Sequence, residues 1–577
     1  MKSPSAARLA ELTPEDFASA TWDDLVAWYD VLESAPLGSG AVEPWLRDWS
    51  RLEELLTEAA SRAMIAYTAD TTDEARQADY LRFSSDLLPK ADERSTRLAR
   101  RLVDSGYGSA DLATTLARFR TQIEIFREEN VALFSEAEEL GARYQQITGG
   151  ITVKWNGEEK TLPQLQVFLR DPDRSIRERA FRLGATSFLE RREELAHLFD
   201  RLFGLREQVA RNAGFDNFRE YAFRAKCRFD YTPADCQRFH DAVERVVTPA
   251  VERVMERRRQ RLGLDRLQPW DLQVDPEAKP ALTPFRDAPE LIGACERIFQ
   301  RLDRVLARDF QTMIDEGLLD LETRKGKAPG GYCETLHYSG RPYIFMNAAG
   351  TVDDVMTLFH EGGHAFHAFA AHPRPLIWQR HPPMEAAELA SMSMELFAAR
   401  YLRRQDGGFF TPDEHRRAQA EMFEDILVTL GHVASVDAFQ DWVYTSGEGG
   451  QAAARDAAWL RIRSRFERGV EWGGLEAERI MRWYRQLHIF LYPFYYIEYG
   501  IAQLGALQLW RNSLVDEPGA VRAYRDALAL GSTSSLPEIY RTAGARLIFD
   551  DAGLAELTDL VQQHLDALED DGAVSAA

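Results

Sequence analysis

From about residue 40 to residue 148 apolar residues recur at intervals of three and four with charges between them, as in LARFRTQIEIFREENVALF. That period gathers the apolar side chains on one stripe of an α-helix, so the first part of the chain is expected to be helical. The pattern changes at residues 151–162, ITVKWNGEEKTL, where alternation around Asn156-Gly157 predicts a two-residue hairpin turn. Helical periodicity returns from Leu165 to Arg211 and again over ADCQRFHDAVERVVTPAVERVMERRRQRL, while the Pro- and Asp-rich residues 267–289 read as a loop. In RKGKAPGGYCETLHYSGRPYIFMNAAGT, Gly and Pro breakers flank short β-forming runs and predict a small sheet. Helices are expected over 352–372 and 384–404, and a third helical stretch over 478–512 with one kink at Pro493. The terminal EDDGAVSAA is expected to fray.

Composition narrows the function classes. The chain is 45% hydrophobic and 28% charged, the balance of a folded soluble protein. A formal net charge of −22 counts against nucleic-acid binding, which needs clustered Lys and Arg, and favours solubility. Four cysteines, Cys227, Cys236, Cys295 and Cys333, are too few for a disulfide framework and are expected to be reduced. The segment MKSPSAARLAELTPEDF lacks the apolar core of a signal peptide, so a cytoplasmic location is expected. Residues 488–510 are long enough to span a bilayer, but His488, Pro493, Glu498 and two Gln make them a buried helix rather than a membrane segment.

The chemistry centres on His360-Glu361-Gly362-Gly363-His364, inside the apolar helical run VMTLFHEGGHAFHAF. A spacing of four puts both imidazoles on one helical face, where they can share one ion, and leaves Glu361 close enough to serve as general base for a metal-activated water. Zinc in such a site takes a third protein ligand and keeps one position open. Glu385 and Glu388, in PPMEAAELASMSMELFAARYL, are the candidates; both fall on one helical face with Glu395 a heptad beyond Glu388, and spacing does not separate them. His367 lies on the same stripe, but a three-histidine motif needs Gly at its position and His at that of Ala370, so that class is excluded. His372 and His381 read as loop or hydrogen-bonded histidines. Gly362 and Gly363 stand mid-helix, where each costs roughly 1 kcal/mol relative to Ala, which predicts a close approach of another element to this backbone.

In sequence order, RKGKAPGGYC, RPYIFMNAAGTVDDVMTLFHEGGHAFH, ELASMSME, HIFLYPFYYIEYG and ALGSTSSLPEIY resemble the blocks of the M3 zinc metallopeptidases, most closely their oligoendopeptidase F branch, over about Ile151 to Gly544. The resemblance implies a mainly α, two-lobed helical body around a deep substrate channel, with a small β-sheet beside the zinc-binding helix. It implies an N-terminal helical lobe over 1–195, including the hairpin, and a catalytic peptidase domain over 196–577. It makes His360, His364 and Glu388, rather than Glu385, the ligands of one Zn2+ per chain, and Glu361 the base. Gly362 departs from the bulkier residue usual in the family. His488, Tyr492, Tyr496 and Tyr499, spaced by four, four and three, are expected to line one side of a helix. By resemblance Tyr492 and Tyr499 hydrogen-bond substrate and transition state, and His488 faces the site. RPYIFMN resembles an edge strand that an extended peptide joins by strand addition. The implied activity is endopeptidase cleavage of short oligopeptides by a monomer; the alternatives are a zinc dipeptidyl carboxypeptidase and a peptide-binding protein without catalysis.

Overall fold

The amphipathic stripes fold into the helices they predict. The computed structural model describes residue 9, residues 11–38 and residues 40–576, with side chains through residue 570. The tail expected to fray is instead helical, the last helix running Asp551–Ala576, while residues 1–8 and 10 of the amino-terminal segment lie outside the described residues. The N-terminal repeat of apolar positions forms a succession of helices, the longest being α1 (Val42–Ala69). The hairpin forms as β1 (Thr152–Trp155) and β2 (Glu158–Thr161), paired antiparallel. Asn156 and Gly157 take φ of 52° and 89°, the positive values that a type I′ turn requires.

The chain divides into two compact units, both discontinuous in sequence and cut elsewhere than at residue 195. One comprises Met1–Glu124, Thr283–His415 and Gly505–Leu547; the other Ile125–Leu282, Arg416–Leu504 and Ile548–Ala577.

In the first unit, the aromatic positions of α1 build an apolar cluster in which Trp49 is fully buried. Its ring lies 5.4 Å from Trp45 and Phe119 and 4.2 Å from Trp378. Aromatic pairs of this kind add about 0.5–1.5 kcal/mol beyond their area burial. Because Trp378 and Leu376 belong to the cluster, the loop after the histidine-bearing helix is tied to the N-terminal helices. The Ile377 N–H donates to Ser50 Oγ at 2.8 Å in the same place.

The small sheet of this unit contains β3 (Leu319–Glu322), β4 (Tyr332–Leu336) and β5 (Arg341–Ala348), in the order β3-β5-β4. β5, which contains RPYIFMN, is the middle strand, parallel to β3 and antiparallel to β4, and this corrects the expectation of an edge strand. Ile344, Phe345 and Met346 are all buried, and a run buried on both faces is what a central strand carries. The edge is β4.

Helix α2 (Val352–Ala371) follows and bears the histidines; Thr351 and Asp354 close a capping box at its start. Helix α3 (Met384–Ala399) carries the downstream carboxylates and ends five residues short of the expected 404. There the chain folds back on itself, with Leu402 O accepting from the N–H groups of Phe409 and Phe410.

The stretch expected to be one kinked helix is three helices, Glu476–Tyr484, Leu487–Leu491 and Tyr496–Ser513. Pro493 disfavours helical backbone at the residue before it, and Tyr492 sits at φ −128°, ψ 64°. Phe494 then adopts φ 61°, a left-handed conformation costly for a side chain of its size. The Phe494 N–H donates to Gln440 Oε1 at 3.1 Å, and the Arg228 guanidinium donates to the Phe494 carbonyl, so both backbone groups of the strained residue are held. His488, Tyr492, Tyr496 and Tyr499 consequently do not share one helical face. Among the described residues no helix is long and apolar enough to cross a membrane. Among the described residues no two cysteines form a disulfide.

Candidate metal centre

One turn of α2 presents His360 and His364 side by side, with ring centroids 5.0 Å apart. Helix α3 packs across them and adds Glu388, whose Oε2 lies 3.4 Å from His360 Nε2 and 3.7 Å from His364 Nε2. The three donor atoms fall within 4.8 Å of one another. Atoms bound tetrahedrally at about 2.0–2.1 Å to one zinc stand about 3.3–3.4 Å apart, so the set fits that ion, and two imidazoles with one carboxylate are a donor set it prefers. Glu385, a turn earlier on α3, is buried but is not in this group.

Other residues aim these donors. His360 Nδ1 is 2.7 Å from Glu395 Oε1, which fixes the ring tautomer and turns the Nε2 lone pair toward the shared position. Ser391 Oγ lies 3.0 Å from Glu388 Oε2 and restrains that carboxylate. Burial works against charge on His360, but with no cation bound the hydrogen bonds to Glu388 and Glu395 outweigh it and hold its pKa well above the ordinary value, so a metal ion at the shared position would displace the proton on Nε2. Burial pushes His364 down to about 4, leaving its lone pair available at neutral pH. Glu361 points from the same turn of α2. Its carboxyl is pushed up to about 7 by burial and by Glu388 and Glu395, against the lowering effects of His360 and of the Cys333 N–H on edge strand β4, which donates to it.

The two glycines separate. A Cβ on Gly363 would stand 2.5 Å from both Ala390 O and Ser391 Cα, so α2 and α3 touch backbone to backbone there. A Cβ on Gly362 would meet Phe299 Cζ at 3.4 Å and Phe366 Cε2 at 3.8 Å, ordinary contacts, and nothing in the structure requires Gly at that position. Gly363→Ala should therefore destabilise the protein by about 1–3 kcal/mol through overpacking against backbone that cannot yield. Gly362→Ala should be neutral or stabilising by up to about 1 kcal/mol, the gain in helix propensity. Chemical denaturation of the two variants checks this; equal midpoints would mean the helix crossing is not tight.

His367 is buried with no hydrogen bond to its Nδ1 and lies outside the donor group. The His381 ring lies against that of His337, tilted by 46° with centroids 4.4 Å apart, and the His372 ring occupies the place of a Cβ on Gly340. Neither joins the centre.

The remaining expected site residues belong to the second unit, where they gather around His488 despite the broken helix. Its ring lies 6.1, 4.8 and 5.9 Å from those of Tyr492, Tyr496 and Tyr499. A hydrogen-bond chain sets its tautomer. Arg463 Nη1, which can only donate, is 3.2 Å from His432 Nδ1, so His432 donates from Nε2 to Gln486 Oε1 at 3.0 Å. Gln486 Nε2 is then the donor to His488 Nδ1 at 3.1 Å, which places the neutral ring's proton on Nε2.

Sequence spacing did not point to the Cys333 N–H or to this chain. A backbone donor has no residue signature, and Arg463, His432 and Gln486 meet only in the fold.

Comparison with known proteins agrees with this architecture. The sequence model of peptidase family M3 matches residues 167–559. Oligopeptidase PepF of Bacillus subtilis (strain 168) is 24% identical over 275 residues, 46% of this chain and 39% of that protein. An oligoendopeptidase F homolog of Borreliella burgdorferi is 22% identical over 445 residues, 72% of this chain and 70% of the relative. The first of these matches thus spans well under half of the relative's length. A solved structure of PZ peptidase A with inhibitor 2 superposes with a TM-score of 0.85 at 27% identity, covering 98% of each chain. With the family match running through the histidine-bearing helix and over more than half of its length, the chain belongs to peptidase family M3.

Proposed function

We propose that the protein is a zinc-dependent endopeptidase that hydrolyses internal bonds of short oligopeptides. The observation that carries this reading is the meeting of His360, His364 and Glu388 beside a buried Glu361. These three residues would hold one zinc ion per chain, and the ion, when bound, supplies a Lewis acid for the scissile carbonyl and lowers the pKa of a water to about 7.

The chain's own residues do the proton work. Glu361 accepts the proton of the attacking water and returns it to the leaving amine, a shuttle suited to a buried carboxylate beside the three ligands. The Cys333 N–H orients that carboxylate, and Glu395 keeps the His360 ring turned. Tyr499, with Tyr492, is assigned as donor to the developing oxyanion, and His488 as an Nε2–H donor to substrate. β4 is an edge strand, and the backbone groups on its outer side other than the Cys333 N–H are the ones an extended peptide would meet by strand addition. Cysteines without a disulfide among the described residues support a reducing, cytoplasmic setting, and a monomer suffices because all three ligands come from one chain.

The test is product analysis on an oligopeptide blocked at both ends, with zinc measured on the same preparation. Internal cleavage abolished by a chelator is expected. An intact blocked peptide alongside dipeptide release from a free carboxyl terminus would make the protein a dipeptidyl carboxypeptidase, and binding without turnover a peptide-binding protein. Glu388→Gln should lose zinc far more readily than Glu385→Gln under dialysis; equal retention would remove Glu388 from the ligand set.

A further inference from the structure

The hydrogen-bond chain that ends on His488 Nδ1 starts at a buried carboxylate. Arg463 and Arg479 reach Glu467 at 2.7 and 3.1 Å, and Arg482 contacts it as well. Burial works against charge on Glu467, but the three guanidiniums outweigh it and hold its pKa well below the usual carboxylate range. Glu467 is thus a fixed anchor. It holds one end of the Arg463 guanidinium, whose Nη1 lies 3.2 Å from both His432 Nδ1 and Ser435 Oγ. The Ser435 hydroxyl donates to Gly431 O at 2.7 Å, so toward Arg463 it only accepts. Burial, with Arg463 and Arg482 beside it, pushes His432 down to about 3, so the ring is neutral at pH 7 and Nδ1 keeps its lone pair for Arg463.

Gln486 passes this polarity on. It caps the helix Leu487–Leu491 and is tied by its own backbone, its N–H donating to Trp483 O and its carbonyl accepting from the Ile489 N–H. Its side-chain oxygen accepts from His432, and its NH2 donates to His488. The amide also hydrogen-bonds the Tyr496 phenol, whose ring stands edge-on to both imidazoles, 5.3 Å from His432 and 4.8 Å from His488. The four side chains therefore close on one another. A Gln amide can be turned end for end, but the reverse orientation here would set its NH2 against the His432 N–H, donor against donor. The direction of the last bond, and with it the nitrogen of His488 that carries the proton, is decided at His432.

We propose that His432 and Gln486 are positioning residues of the His488 imidazole, a relay that runs from the Glu467–Arg463 pair and leaves His488 the Nε2–H tautomer alone. A neutral imidazole otherwise divides its proton between two nitrogens, and a hydrogen bond to one of them fixes what the other presents. With a donor occupying Nδ1, every His488 ring offers an N–H from Nε2. The use of that N–H in cleavage rests on the peptidase reading; the tautomer does not.

Magic-angle-spinning NMR on the full chain labelled with 15N at histidine reads the protonation of each ring nitrogen, and the spectrum of His488→Gln identifies the His488 signals. The unsubstituted protein should show a bare Nδ1 and a protonated Nε2 there. His432→Phe keeps an aromatic ring against Tyr496 but removes the N–H, so the Gln486 amide is free to turn and His488 protonated on Nδ1 should appear. His432→Gln, whose amide offers an oxygen to Arg463 and an NH2 to Gln486, should restore the bare Nδ1. Gln486→Glu replaces the donor with an acceptor and should protonate Nδ1 outright. A purely structural role for His432 would not separate the Phe and Gln variants in this way. A protonated Nδ1 in the unsubstituted protein overturns the proposal with no variant needed, and so does a bare Nδ1 that persists in either His432→Phe or Gln486→Glu. Oligopeptide cleavage is read on the same proteins: kcat/KM should fall roughly two- to tenfold in His432→Phe, the scale of one neutral hydrogen bond, and recover in His432→Gln. The expected spectra without any cleavage would sink the peptidase reading and leave the relay standing; cleavage with the opposite tautomer would do the reverse.

Discussion

Glu361→Gln should fold, keep its zinc and lose turnover by about 10² to 10⁴, the usual contribution of a positioned general base. The amide is nearly isosteric and can still accept the Cys333 N–H, so packing between α2 and β4 should survive. What disappears is the capacity to take a proton. The loss should appear equally in kcat and kcat/KM, because the base matters only once attack begins. A pH profile supplies an independent check. Glu361 works as a base only when ionised, so the rate falls as pH drops through its pKa. Burial and the neighbouring carboxylates raise that pKa to about 7 in the bare geometry. A divalent cation beside it favours the carboxylate, so the acid limb should lie below 7 in the zinc-loaded protein. Loss of metal from Glu361→Gln, measured alongside, would make the residue structural.

Features that are local in sequence were legible, and those that depend on distant partners were not. The histidine pair, its intervening Glu and the Asn156-Gly157 turn follow from the spacing of a few residues along one helix or hairpin. Gly363 was legible as a point of close approach because a mid-helix glycine needs a reason; Gly362 raised the same expectation, and the structure supplies no such contact. Strand order was out of reach. The composition of Arg341–Ala348 marks a strand, but its central place depends on β3 adding in parallel, a long-range event. The break at Tyr492–Phe494 was half visible. Pro493 announced a kink, whereas the left-handed Phe494 requires Arg228 and Gln440, which lie 266 and 54 residues away in sequence. Choosing Glu388 over Glu385 needed family resemblance at the sequence level, since both carboxylates share a helical face. In the fold the crossing of α2 and α3 brings Glu388 to the imidazoles, and Gly363 permits that crossing.

Tyr499→Phe should lower kcat by about 10² to 10³ while KM and zinc content stay close to those of the unsubstituted protein. Attack on the scissile carbonyl leaves negative charge on its oxygen, and in a site that excludes water a fixed neutral donor stabilises that charge strongly. A phenol suits the task because it remains protonated at neutral pH, its ordinary pKa being about 10. Removing one such donor costs about 2.7–4 kcal/mol of transition-state stabilisation, which sets the expected fall. The surroundings of Tyr499 argue that little else would change. It lies in the first turn of the helix Tyr496–Ser513, and the next residue, Gly500, is pinned: a Cβ there would stand 2.9 Å from Phe239 and 3.0 Å from Val433. The backbone that carries the ring is therefore held by packing that the hydroxyl does not share. Its ring contacts with His488, Tyr495 and Tyr496, at 5.9, 5.1 and 5.5 Å, survive a change to Phe. Tyr492 and Tyr496 serve as comparisons. Tyr492 is 53% exposed at the break between helices, and Tyr496 hydrogen-bonds Gln486, so Phe at either position should cost less in kcat than at Tyr499. A rise in KM alone would make Tyr499 a substrate-positioning group. An unchanged kcat would return it to the aromatic packing around His488, because a donor to the oxyanion acts on the step that kcat reports.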